Sequence, residues 1–154
     1  MRTEAMASER SGWLSSVHRE VTYSHPRAKV WRALTDPDLI GRWLMKPEGF
    51  AAVVGTRFIL RAEGPQRGWR GFVECEVLAV EPGRLLRYSW VGDPDHPPLT
   101  VTFSLTDAGS GTRLVLAHEG FEGFGGWLLA RFMMGPGWGK MLRRRLRDAL
   151  GGVA

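Results

Sequence analysis

Residues 100–118 of this chain read TVTFSLTDAGSGTRLVLAH, the pattern of an antiparallel β-hairpin. Apolar side chains fall at every second position on both sides of a turn, at Val101, Phe103, Leu105, Leu114 and Leu116. This period of two is typical of strands with one buried face and one polar face. The turn, residues 107–111, contains Asp, Gly and Ser, which suit tight turns. The stretch therefore predicts two adjacent strands, with His118 on the apolar face of the second.

Four segments before this hairpin show a similar alternation, at residues 17–23, 57–61, 71–81 and 86–90. Leu78 and Val80 disturb the alternation of the third segment, which allows a β-bulge there. Arg19 interrupts the apolar face of the first segment. Together with the two strands of the hairpin, these four segments indicate a sheet of about six antiparallel strands.

Two short helices are predicted between the first and second of these strands. Pro26 suits a first helical turn because that position needs no amide donor, and Trp31 follows at helical spacing within an apolar set. A second helix begins directly afterwards, with Asp36 as its N-cap, Pro37 at its first position and Trp43 on its apolar face.

A long amphipathic helix is predicted over about residues 137–150. Its apolar stripe consists of Trp138, Met141, Leu142, Leu146, Ala149 and Leu150, and its polar face carries Arg143, Arg144, Arg145 and Arg147. We expect residues 135–137, Gly-Pro-Gly, to separate this helix from a short one at 127–134. Strands grouped in one run with helices at the ends predict an α+β fold whose bent sheet wraps the final helix.

Length and composition limit the class of protein. The 154 residues, 44% of them hydrophobic, suit a single domain, which we assign to residues 16–152 after a flexible N-terminal tail at 1–15. The single cysteine, Cys75, excludes an internal disulfide, and no secretion signal precedes the domain, so we expect a cytoplasmic location. The apolar stretches are too short for stable membrane insertion, and the basic run lacks any nucleic-acid-binding motif.

The chemistry-bearing residues do not form a recognisable catalytic motif. The four histidines lack metal-ligand spacing, and glycine motifs for phosphates or dinucleotides are absent, so we expect no metal and no cofactor. Cys75 is interpreted as a small core residue. His118 has two interpretations, a histidine bonded to backbone at the sheet edge, or a donor or acid/base group facing a ligand. Glu74 is a weaker candidate because its face of the strand is expected to meet solvent.

The seven tryptophans are unusual in a chain of this length. The candidate ligand-binding residues are Trp31, Trp43, Phe58, Trp69, Tyr88, Trp90, Phe103, His118, Phe121, Trp138 and Leu142. These side chains either fill the core or line a cavity, and small-molecule sites are mostly apolar with a few polar groups. The apolar, glycine-bounded segment 124–134 is predicted to act as a lid or as a homodimer contact rather than as a membrane anchor.

The order of these motifs resembles the START-like (SRPBCC) superfamily, and within it the branch of the activator of the heat-shock-protein-90 ATPase. The resemblance covers about residues 17–150. The opening signature consists of residues 19–21 with Pro26, Val30-Trp31, residues 33–37 and Arg42-Trp43. The later matches follow in order and are Glu81-Pro82 with Leu85 and Trp90, residues 101–105, 111–114 and 118–121, and Gly137-Trp138.

The resemblance implies a helix-grip (START/Bet v-like) fold, in which a curved seven-stranded antiparallel sheet encloses a long C-terminal helix and a deep cavity. It also implies that a small apolar molecule, lipid-like, polyketide-like or aromatic, binds in that cavity, which we favour over catalysis. One alternative is a polyketide cyclase or aromatase that uses His118 and Tyr88 as acid/base groups. The further alternative is a stress-related co-chaperone-like partner, because the fold alone does not set the function.

Overall fold

Seven antiparallel strands form one sheet in a computed structural model, which describes residues 16–152 apart from five side chains. Those side chains belong to Phe124, Trp127, Leu128, Arg131 and Phe132. The strands are β1 (Ser16–Tyr23), β2 (Lys46–Glu48), β3 (Arg57–Arg61), β4 (Phe72–Glu81), β5 (Leu85–Trp90), β6 (Leu99–Ala108) and β7 (Gly111–Glu119). The predicted tail at residues 1–15 lies outside the described residues.

The sheet has the order β1-β7-β6-β5-β4-β3-β2, so the first strand pairs with the last. The hairpin of residues 100–118 is confirmed as β6 and β7, and Phe103 lies opposite Leu116 in its register. The bulge is also confirmed, because the register shifts between Val77 and Ala79 and leaves Leu78 exposed. The sequence patterns did not indicate β2, which is only three residues long.

The two short helices after β1 are confirmed as α1 (Arg27–Thr35) and α2 (Pro37–Trp43). The Asp36 carboxylate caps α2 by accepting hydrogen bonds from the amides of Asp38 and Leu39. The indole of Trp43 donates to the Ala33 carbonyl at 2.8 Å and so ties the two helices together.

The C-terminal helix differs from the prediction, because it runs without a break from residue 123 to residue 151. It consists of α-helical parts at Gly123–Leu129, Gly135–Lys140 and Leu146–Gly151, joined by π-helical parts at Ala130–Met134 and Met141–Arg145. The break expected at 135–137 was therefore wrong. Pro136 has no amide hydrogen, so it cannot donate a hydrogen bond to the preceding turn. The π turn before it is wider than an α turn and accommodates this missing bond. In that turn the Gly135 amide donates to the Ala130 carbonyl.

The apolar stripe of this helix packs on the inner face of the sheet, as predicted. Trp138, Leu142, Leu146 and Leu150 are fully buried, and they join one hydrophobic core with the inward residues of the strands and of α1 and α2. The α+β helix-grip architecture expected from the sequence is thus confirmed. Among the described residues, no helix is both long enough and apolar enough to cross a bilayer.

Tyr23 fastens the first strand to the C-terminal helix, since its buried hydroxyl donates to the Leu142 carbonyl at 2.6 Å. We expect Tyr23→Phe to lower the free energy of unfolding by about 1–2 kcal/mol, the usual contribution of a buried hydrogen bond of this kind. Urea denaturation followed by far-ultraviolet circular dichroism measures this change. An unchanged midpoint at unchanged slope would show that this bond does not hold the helix on the sheet.

Candidate functional site

Aromatic rings form a continuous cluster on the inner face of the sheet, beneath the C-terminal helix. Phe103 lies at its centre, with its ring centroid 5.9 Å from those of Trp43, Tyr88 and Trp138. Phe58 extends the cluster across the sheet, with its ring 5.2 Å from that of Tyr88. The edge-to-face and tilted arrangements are those that aromatic pairs prefer. The strands and helices thus bring together side chains that are far apart in the sequence.

His118 lies at the other end of this cluster and is 0% exposed. Its ring is 5.2 Å from that of Trp90, 4.8 Å from that of Phe121 and 5.8 Å from that of Trp138. The indole Nε1–H of Trp138 donates a hydrogen bond to Nδ1 of His118 at 2.9 Å. Because an indole N–H can only donate, Nδ1 must be the unprotonated nitrogen, and the proton of the neutral ring lies on Nε2.

The Nε2–H of His118 is buried and has no hydrogen-bond partner among the described residues. Burial also lowers the pKa of His118 to about 3, since the apolar surroundings disfavour its charged form. His118 is therefore a neutral imidazole at physiological pH. It presents one unpaired N–H donor to an environment of aromatic rings.

Tyr88 and Cys75 are two further buried titratable groups on this face of the sheet. Burial, and secondarily the neighbouring Cys75, raises the pKa of Tyr88 well above its usual value. Burial, and secondarily Glu74, likewise raises the pKa of the Cys75 thiol. Both groups therefore stay protonated at neutral pH.

Tyr88 and His118 lie in one row across the sheet, but they are not neighbours. Val101 pairs with Tyr88 on one side and with His118 on the other, so it separates the two side chains. Two strand spacings correspond to about 10 Å. This backbone separation is comparable to the length of a ligand of several rings.

Most of the candidate ligand-binding residues lie together in this buried cluster. Nine do so, namely Trp43, Phe58, Tyr88, Trp90, Phe103, His118, Phe121, Trp138 and Leu142. Trp31 is only partly buried and packs against the outside of the core.

The structure does not bring Trp69, the remaining candidate ligand-binding residue, into this cluster. It lies in the loop between β3 and β4, is 38% exposed and donates to the Gln66 side chain at 3.0 Å. Trp69 was selected only because it is aromatic, which does not indicate its position. The residues around it do not alternate as in a strand, so the sequence did not show which way its side chain faces. Glu74 is exposed, as its strand face indicated, and pairs with Arg70 at 3.0 Å.

Two features of the site were missed by sequence reasoning. Phe50, in the loop after β2, contacts the ring of Phe58 at 4.9 Å and continues the cluster. No periodicity surrounds Phe50, so the pattern offered no signal for it. The bond from Trp138 to His118 was also missed, because it depends on how the helix is rotated on the sheet.

The segment 124–134, predicted as a lid or a homodimer contact, is helical throughout. Met133 is 67% exposed, and Ala130 is buried. The side chain of Trp127, on which the dimer prediction depends, lies outside the described residues. The dimer and the lid therefore stay predictions.

Comparison with known proteins places these features in a family. The family model described as "Activator of Hsp90 ATPase homolog 1-like protein" matches residues 24–151. No curated protein matches the chain.

Several solved structures are similar to the chain. Protein MLL2253 from Mesorhizobium loti is 38% identical, with a TM-score of 0.77, over 90% of this chain and 98% of that one. CalU16 from Micromonospora echinospora is 30% identical, with a TM-score of 0.65, over 88% of this chain and 71% of that one. DynU16, described as belonging to the dynemicin biosynthetic locus, is 25% identical, with a TM-score of 0.71, over 90% of this chain and 48% of that one.

These matches agree with the START-like resemblance of the sequence motifs and with the helix-grip architecture. The matched region includes α1, α2, all strands after β1 and the C-terminal helix, and so contains the whole aromatic cluster. This chain therefore belongs to the Activator of Hsp90 ATPase homolog 1-like family, which is of the SRPBCC type.

Proposed function

We propose that this protein binds a small, largely apolar molecule between the sheet and the C-terminal helix, and that the molecule presents a hydrogen-bond acceptor to His118. The supporting observation is the buried Nε2–H of His118, which has no partner among the described residues and lies among aromatic rings. Leaving such a donor unpaired costs about 1–3 kcal/mol. A carbonyl, ether or phenol oxygen on the ligand removes that cost.

The surroundings of His118 favour binding over acid/base catalysis. An effective general base or acid has a pKa near the working pH, whereas the pKa of His118 is lowered to about 3. Its second nitrogen is already occupied by Trp138. The raised pKa of Tyr88 removes the other predicted acid/base group, so both residues serve better as fixed polar contacts.

The similarity to DynU16 also supports a small-molecule ligand, because that protein is described as part of a biosynthetic locus. The aromatic rings around His118 favour a ligand with its own rings or an unsaturated chain. No contact among the described residues supports the cyclase or the co-chaperone alternative.

A matched pair of ligands tests the proposal. Fluorenone and fluorene share one ring skeleton, and only fluorenone has a carbonyl oxygen. We expect both to quench the tryptophan fluorescence, because Trp90 and Trp138 contact His118. We expect fluorenone to bind about tenfold more tightly, which is the effect of pairing one buried donor.

Two substitutions of His118 provide the controls. His118→Leu removes the donor, so the preference for fluorenone should disappear while fluorene still binds. His118→Gln keeps an amide N–H and an acceptor for Trp138, so part of the preference should remain. Absence of quenching by either ligand would refute binding in this cluster. Equal affinities for the two ligands in the unmodified protein would refute the role of His118.

A further inference from the structure

A basic pocket lies on the surface, where the edge strand β1 meets the C-terminal helix. Its volume is about 500 Å³, and it is lined by Arg19, Gly135, Pro136, Gly139, Lys140, Arg143 and Arg144. None of these residues belongs to the aromatic cluster. The pocket is therefore a site distinct from the one around His118.

Helical geometry explains why these residues converge. Pro136, Lys140 and Arg144 are spaced by four residues, so they lie on one face of the helix, and Arg143 adjoins them. Arg19 approaches from the strand, at the position where the sequence interrupts the apolar face of β1. Its guanidinium donates to the His18 carbonyl at 2.8 Å and lies close to the helix at Gly135.

Gly135 makes room for this arrangement. A Cβ atom at that position would lie 2.6 Å from Nη2 of Arg19 and 3.0 Å from the Ala130 carbonyl oxygen. The absence of a side chain thus lets the guanidinium lie against the helix backbone. Gly139, one turn later, likewise leaves the wall of the pocket without a side chain.

The charge in the pocket is not compensated by the residues that line it. Four of the seven lining residues are cationic and none is acidic. Arginines elsewhere in the described chain do find carboxylates, as in the pairs Arg61–Glu48 and Arg57–Glu76. Among the described residues, no ion pair involves Arg19, Lys140, Arg143 or Arg144.

The run of arginines on the helix therefore divides into parts with different surroundings. Arg143 and Arg144 line the pocket, whereas Arg145 does not. Arg147 lies over the ring of Tyr23 at 5.7 Å and donates to the Thr22 carbonyl at 3.3 Å. A solvated basic face explains Arg145, but it does not explain why Arg19 is brought to the same place from another strand.

We propose that this pocket binds a phosphoryl oxyanion with at least two negative charges, either on a free small molecule or on a lipid headgroup. Guanidinium groups pair with phosphate oxygens through two parallel hydrogen bonds, which makes arginine the usual residue for this recognition. A carboxylate would neutralise only one of the four cations. A phosphomonoester or a diphosphate carries two or more negative charges, and the pocket has room for it together with part of the molecule that bears it.

Calorimetric titration with inorganic pyrophosphate tests the site, and sedimentation with phosphatidylcholine vesicles, with and without phosphatidic acid, tests the lipid source. The pocket variant is Arg143→Gln with Arg144→Gln. The control variant, Arg84→Gln with Arg145→Gln, loses the same charge at exposed positions outside the pocket. All four residues are exposed, so thermal melting should show both variants folded.

We expect the pocket variant to lose about tenfold or more in affinity for whichever phosphoryl ligand binds, and the control variant to lose less than about twofold. Binding to phosphatidic acid vesicles without binding to pyrophosphate would assign the phosphoryl group to a lipid. Equal losses in the two variants, or no binding of either ligand at low salt, would overturn the proposal. Neither result bears on the binding of fluorenone near His118, so the two proposals fail independently.

Discussion

Lowering the pH from 7 to 5 is expected to reduce the free energy of unfolding by about 2 kcal/mol, because His118 is buried without charge. Its pKa is lowered from 6.5 to about 3 in the folded protein. Below pH 6.5, His118 therefore binds a proton in the unfolded chain but not in the folded chain. The stabilisation is complete above pH 6.5 and is lost progressively as the pH falls towards 3.

Each pH unit within that window changes the free energy of unfolding by up to about 1.4 kcal/mol. Urea denaturation at several pH values between 7 and 5 measures the slope. This range avoids the carboxylates of Glu20 and Glu48, whose pKa values their arginine partners lower from 4.5, so they titrate further below it.

His118→Gln is the control for this prediction. Glutamine does not titrate and can still accept the hydrogen bond from Trp138, so its curve should be nearly flat between pH 7 and 5. If the unmodified protein and His118→Gln lose the same stability over this range, another group is responsible. The neutral, fixed imidazole proposed for ligand binding would then lose its main support.

The sheet was predictable because its signals are local. Alternation in β6 and β7 fixed the inward face, and the structure places Phe103 and His118 on it as predicted. Asp36 and Pro37 likewise marked the start of α2. The alternation of side chains along a strand and the capping of a helix depend on neighbours in sequence, so both can be inferred without knowing the tertiary structure.

The C-terminal helix was only partly predictable because tertiary packing overrides local propensity there. Glycine and proline at 135–137 disfavour an isolated helix. Burial of Trp138 and Leu142 on the sheet stabilises the continuous helix, and the π turn before Gly135 absorbs the missing hydrogen bond of Pro136. Neither compensation is visible in the local sequence.

The polar contacts of the two sites depend on this helix. Its rotation brings the indole of Trp138 to His118 and the basic groups of the opposite face to Arg19. Sequence periodicity shows that a helix has an apolar and a polar face. It does not show which atoms of the sheet each face will meet, so the tautomer of His118 and the basic pocket required the structure.

Phe103→Ala is expected to lower the free energy of unfolding by about 3–5 kcal/mol, the usual cost of removing a buried phenyl ring. Phe103 is almost fully buried and contacts the rings of Trp43, Tyr88 and Trp138. Its removal therefore takes away both apolar burial and three aromatic contacts. Urea denaturation measures the loss.

Phe72→Ala is the matched control on the outer face of the sheet. Phe72 is only partly buried, and its ring lies under the guanidinium groups of Arg61 and Arg70 at 5.3 and 4.2 Å. We expect its removal to cost less than about 2 kcal/mol, because each such contact contributes little at a partly exposed site. Similar costs for both substitutions would show that Phe103 is not the centre of the cluster.

Phe103→Ala also links the packing of the aromatic cluster to ligand binding. The space left by the phenyl ring adjoins Trp43, Tyr88 and Trp138, and apolar cavities of this kind bind small aromatic molecules. Added indole should therefore raise the melting temperature of Phe103→Ala by more than that of the unmodified protein. If indole stabilises the variant no more than it stabilises Phe72→Ala, the inner face has collapsed around the gap, and the aromatic cluster is a closed core rather than a surface that adapts to a ligand.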